Sequence, residues 1–137
     1  MNDDRQTSDN YTAGLELRRK MWGKAGADEH IDNASDMMAP VQDIVTRICF
    51  GEIWQRPGLD LKTRSLITLA LLTATGRTHE IKIHVRGALA NGCTREELRE
   101  LFVHAFAYCG IPLMVDAMRA CEQVLDEIEG SQKGENP

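Results

Sequence analysis

The chain reads as an all-α protein, six helices joined by short loops into the subunit of an oligomer. Three observations predict this. Apolar residues recur at helical spacing through most of the chain, and no stretch shows the period of two of a half-buried strand. Glycine, proline and capping residues punctuate the pattern at helix-length intervals. Aromatics are only 5% of residues, and the 42% apolar content is carried largely by Leu, Ala, Met and Ile, which favours helices over a β-sandwich.

The 137 residues suffice for one domain, expected over residues 11–129 between flexible polar tails at 1–10 and 130–137. A first helix is expected over 12–22, stopped by Gly23, with a loop or short turn over 25–36 and Ser35 or Asp36 as the next cap. Val41, Ile44, Val45 and Ile48 then form the apolar stripe of a second helix. Pro57-Gly58 suits the centre of a type II turn, and Asp60 stands where an N-cap belongs. The third helix, 61–75, is apolar nearly all round and is predicted to be central, with Gly76 as its C′ residue. The fourth, 78–90, ends at Asn91-Gly92. Thr94-x-x-Glu97 is a capping box opening the fifth, which carries Leu98, Leu101, Phe102, Ala105, Phe106 and Cys109. Gly110 ends it, and Pro112 fits the first turn of the sixth, whose stripe includes Leu113, Ala117, Cys121, Val124 and Ile128. Ile83 and Ala90 point away from the main face of the fourth helix, and Val103 and Ala107 widen that of the fifth. Such second faces suit self-association.

A net charge of −5 argues against coating nucleic acid, which needs clustered Lys and Arg. The longest apolar run, residues 66–74, is too short to span a bilayer, and the polar N-terminus shows no apolar leader, so a cytoplasmic location away from membranes is expected. The four cysteines (49, 93, 109, 121) form no C-x-x-C and lie in apolar patterns, which favours inert thiols over redox ones.

Glu80 and His84 stand at i, i+4 on the fourth helix, with His84 at the edge of its apolar face. A carboxylate in reach of an imidazole at the rim of a core orients it and raises its pKa toward neutrality, as a general acid or base requires; the blander reading is an ordinary surface pair. His79-Glu80 with His84 is not the zinc-binding H-E-x-x-H, because the histidines are five apart and face different ways, and no metal is expected. Arg56, Arg64, Arg77 and Arg86 are candidate anion ligands. Arg64 abuts an apolar helix, where a guanidinium wants a carboxylate or phosphate, or a structural ion pair to Glu52 or Glu80. Trp54 and Tyr108 read first as core or interface anchors.

The block Gly51-Glu-Ile-Trp-Gln-Arg-Pro-Gly-Leu-Asp60, with Arg64-Ser-Leu66, Gly76-Arg77, Glu80-x-x-x-His84, Asn91-Gly92-x-Thr94-x-Glu-Glu97 and Tyr108-x-Gly110-x-Pro112, resembles the γ-carboxymuconolactone decarboxylase family. The likeness runs from about Tyr11 to Leu125 and places the chain in the alkylhydroperoxidase D-like superfamily. The peroxidase branch uses C-x-x-C-x-x-x-H. When His84 is matched to its histidine, the two thiol positions fall on Arg77 and Glu80, so thiol chemistry is disfavoured.

The resemblance implies a homo-hexamer, a trimer of dimers. It also implies decarboxylation of 4-carboxymuconolactone to the enol-lactone of β-ketoadipate in protocatechuate breakdown, with no cofactor. On that expectation the electron pair left by CO₂ runs into the lactone carbonyl. His84, oriented by Glu80, protonates the dienolate; Arg64 and Arg77 hold carboxylate or lactone oxygens; Glu52, Trp54 and Arg56 shape the wall. Cys49-Phe50, His104 and Cys109 depart from the usual decarboxylase pattern and leave room for another lactone or a β-keto acid, or for a relative that only binds a ligand or isomerises one.

Overall fold

The computed structural model describes the backbone of residues 2–134 and the side chains of residues 8–134. Among them every regular element is helical: α1 (Asn2–Gly26), α2 (Asp28–Asp32), α3 (Ala39–Ile44) continuing directly into a π-helical stretch (Val45–Ile53), α4 (Leu61–Ala74), α5 (Thr78–Ala90), α6 (Arg95–Cys109) and α7 (Ile111–Gly134). None of these helices is long and apolar enough to cross a membrane. The five-residue α2 adds one element to the six expected, within the segment read as a loop or short turn. α1 begins at Asn2 and not near Thr12, and α7 runs to Gly134, so helix enters both stretches expected to be tails; residues 135–137 lie outside the described residues.

Contacts group the chain into two compact units, Met1–Leu61 and Lys62–Pro137. Each has its own apolar cluster. In the first unit α1 packs along the π-helical stretch, and Leu17, Met21, Phe50 and Trp54 form the cluster. Gly23 does interrupt α1, with φ 69° and ψ −171°. The crossing is unusually close. A Cβ at Gly14 would strike the Thr46 carbonyl, and one at Gly51 the Asn10 carbonyl, so only glycine lets the two backbones meet.

The second helix turns a different face inward from the one its apolar stripe predicts. Val41, Ile44 and Ile48 are exposed, while Gln42, Thr46, Phe50 and Gly51 are buried. The reason is Arg18 on α1, only 5% exposed, which needs hydrogen-bond acceptors across the contact and finds them on Thr46 and Gln42. The following break at Pro57-Gly58 is a turn, but Gly58 lacks the positive φ of a type II centre.

In the second unit α5 and α6 both pack on α7, around Leu69, Ile81, Val85, Leu98, Phe102, Ala117, Cys121 and Val124. The stripes expected on α5 and α7 face the core, as does that of α6 at Leu98 and Phe102, whereas Phe106 of the same expected stripe is exposed. α4 is not central: it buries only Ser65, Leu69 and Thr73, one stripe at i, i+4, i+8, and leaves Leu71 62% exposed. Its buried hydroxyls find partners, Thr73 Oγ1 donating to the Leu69 carbonyl one turn back (2.7 Å) and Ser65 Oγ accepting from Asn91 Nδ2 at the end of α5 (3.0 Å). The capping box forms as expected, Glu97 N–H donating to Thr94 Oγ1 at 3.1 Å.

Candidate active site on helix α5

The end of α4 places the first site residue. Gly76 takes φ 70°, its N–H donates to the Thr73 carbonyl (3.2 Å), and Arg77 N–H reaches the Leu72 carbonyl five residues back (2.9 Å). This left-handed turn closes α4 and makes Arg77 the N-cap of α5. Glu80 then falls in the first turn of α5, where the helix dipole favours a carboxylate. Arg77 Nη2 donates to Glu80 Oε1 at 3.0 Å. The hydrogen bond from its own backbone N–H, ahead of the one from Arg77, holds the Glu80 carboxyl below the usual range.

One turn further on, His84 is half-buried beside the core residues Ile81, Val85 and Ala88. Its pKa is lowered, not raised as the sequence predicts. Burial penalises the imidazolium, and the Glu80 charge offsets only part of that. Desolvation thus favours the neutral imidazole in the free protein. Arg77, Glu80 and His84 thus line up along one helix, with Glu80 in charge contact with both others.

The other proposed site residues lie on other elements. Arg64 is half-buried in the first turn of α4, next to the fully buried Ser65. Within the first unit Glu52 is exposed on the π-helical stretch, and Arg56 is exposed in the turn that follows. Trp54 is 7% exposed, its ring 5.4 Å from that of Phe50, and is a core residue. Two cavities have other walls: one of about 420 Å³ beside His30, Asn33, Ser35 and Gln42, and one of about 650 Å³ beside Arg95, Arg99, Phe102, Met118 and Cys121. None of the seven candidates lines either.

The cysteines are free thiols, and burial pushes Cys121 up to about 11, so that one is unreactive at neutral pH. Among the described residues no three His, Cys, Asp or Glu side chains gather as metal ligands. Sequence reasoning missed Arg18; nothing in a periodic pattern marks one arginine of a polar-looking helix as buried.

Among the described residues every regular element is helical, and Arg77, Glu80 and His84 stand together on α5. Residues 39–123, which run through both units, match the carboxymuconolactone decarboxylase family, and the chain belongs to it. It is 38% identical to a 4-carboxymuconolactone decarboxylase of Acinetobacter baylyi over 93% of this chain and 92% of that one. It is 36% identical to a nitrosuccinic acid decarboxylase of Metarhizium robertsii, over 86% and 82% of the two chains. The chain is accordingly a carboxy-lyase.

Proposed function

We propose that the protein decarboxylates 4-carboxymuconolactone to β-ketoadipate enol-lactone in protocatechuate breakdown, working without a cofactor as a cytoplasmic homo-hexamer. The observation that carries the mechanism is His84, half-buried on α5 with the Glu80 charge in reach. The substrate is a dianion. Its carboxylates bring negative charge to a neutral imidazole held down only by desolvation, so binding draws a proton onto His84.

The bond to the leaving carboxylate then breaks and CO₂ departs. The electron pair passes through the ring double bond onto the lactone oxygen, and the His84 proton goes to the carbon α to that carbonyl. One proton is consumed per turnover, and it returns to His84 from water. Arg64 and Arg77 hold the carboxylate and lactone oxygens, and Arg77 already carries its own counter-charge in Glu80. By the family likeness Glu52, Arg56 and Trp54 are the further candidates for substrate contact. The exposed apolar side chains Leu71, Val103, Phe106, Tyr108 and Ile111 support the oligomer, since they leave a face unpaired in one chain.

The nitrosuccinic acid relative supports a second reading of the substrate. Nitrosuccinic acid and 4-carboxymuconolactone share a carbon bearing both a carboxyl and a carboxymethyl group, with an electron acceptor attached. A different succinate of that kind is the alternative.

Ultraviolet monitoring of lactone loss with CO₂ measured in parallel tests the activity. Lactone consumed without CO₂ would overturn it. Folded His84→Gln is expected to lose about 10²–10⁴-fold in kcat, and full turnover in that variant would remove His84 from the mechanism.

A further inference from the structure

The chemistry above leaves one buried cation unused. Arg18 is 5% exposed, and burial pulls its pKa below the ordinary arginine value. A buried guanidinium usually meets a carboxylate or a phosphate. Among the described residues its hydrogen-bond acceptors are all uncharged: Thr46 Oγ1 at 2.8 Å, Gln42 Oε1 at 3.0 Å and the Gly26 carbonyl at 3.3 Å. Two of these three sit on either side of the junction at which α3 gives way to the π-helical stretch.

The contact works on the helix register. Thr46 Oγ1, while accepting from Arg18, donates to the Gln42 carbonyl at 2.7 Å, and back-bonding of this kind loosens the α-helical ladder. Beyond it Trp54 N–H donates to the Cys49 carbonyl, five residues back, at 2.9 Å. Nine residues of π-helix is far beyond the single-turn bulges that are usual, so tertiary contacts must hold it. The Gly14–Thr46 and Gly51–Asn10 approaches press on one side, and Arg18 grips the start.

An α-helical register from Thr46 onward would rotate later side chains by about 100° for each residue gained or lost. That would swing Trp54 out of its cluster with Phe50 and re-aim Glu52 and the turn carrying Arg56.

We infer that Arg18 is a positioning residue for substrate binding: it sets the π register and so aims Glu52 and Arg56 at the carboxylated substrate. The inference rests on the reading of those two residues given above. Neutral acceptors suit the role, because the fork fixes direction at two points while the cation needs no flexible acidic partner.

Arg18→Met removes the charge and the fork at similar length, and Arg18→Lys keeps the charge alone. Each is made in the wild-type chain and in a Glu52→Gln/Arg56→Gln background. The readouts are kcat, KM and amide exchange at residues 50–54. In Arg18→Met, native helix content is expected, with faster exchange at those amides, a KM raised about tenfold and kcat changed less than about twofold. Arg18→Lys is expected to behave like Arg18→Met. In the doubly substituted background Arg18→Met adds nothing to KM.

A folded Arg18→Met with unchanged KM overturns the proposal, as does the same KM rise in the double background, which marks a general loss of structure. If Arg18→Met does not fold, Thr46→Val carries the same cycle with a smaller rise. If the wild-type protein releases no CO₂ from the lactone, the functional reading fails separately. Exchange at residues 50–54 then decides the register, with faster exchange supporting it and unchanged exchange overturning it.

Discussion

Replacing Gly14 by alanine sets two effects of opposite sign against each other. Gly14 lies inside α1, and helix propensity alone predicts that alanine stabilises by about 1 kcal/mol. The structure predicts the reverse. The new Cβ would overlap the Thr46 carbonyl oxygen and come within 2.8 Å of the Gly51 amide nitrogen, and both are backbone atoms that no rotamer change can move. α1 would have to back away by roughly 1 Å, and a gap of that size forfeits up to half the dispersion energy of each separated pair. Leu17 and Met21 would lift off Phe50 and Trp54. Overpacking of this kind costs about 1–3 kcal/mol, and rigid partners put it at the upper end. After the propensity gain a net loss of about 2 kcal/mol remains, a fall of roughly 7 °C in Tm for a chain of this size. Thermal unfolding followed by circular dichroism measures it, with Gly130→Ala as the control. Gly130 is helical with nothing within 4 Å of a built Cβ, so alanine there is expected to raise Tm slightly. An unchanged or raised Tm in Gly14→Ala would refute the close crossing.

Two further outcomes follow from the second unit. Burial lowers the His84 pKa, so below about pH 6.5 the unfolded chain takes up the proton first, and stability is full above that pH and declines as the pH falls toward the folded value. Urea unfolding at pH 7.5 and 5.5 should show a smaller decline in His84→Gln than in the wild type; equal declines would mean that the imidazole is not desolvated. Phe102 is 1% exposed at the centre of its cluster, and Phe102→Ala is expected to cost about 3–5 kcal/mol by the same method. A loss under about 1 kcal/mol would place that ring outside the core.

The candidate site was partly legible. Glu80 and His84 meet because i, i+4 spacing on a helix is local geometry, and Gly76 ends α4 because a left-handed residue there needs no Cβ. The sign of the His84 shift was not legible. It depends on how much apolar surface surrounds the ring, and burial outweighed the carboxylate that sequence spacing reveals. Trp54 stands in the same block as Glu52 and Arg56, yet the π register turns it into the core and leaves the other two exposed.

Near neighbours along the chain were enough to fix helical type, the breaks at Gly23, Gly76, Gly92 and Gly110, the Thr94 capping box, and the buried stripes of α5 and α7. Tertiary structure decided the rest. It chose the polar face of α3 and its π-helical continuation for burial, because Arg18 lies across the contact and a buried cation outranks an apolar stripe in its demand for acceptors. It also separated the chain into two clusters and left much of an apolar α4 exposed, because periodicity says which residues share a face and never what that face will meet.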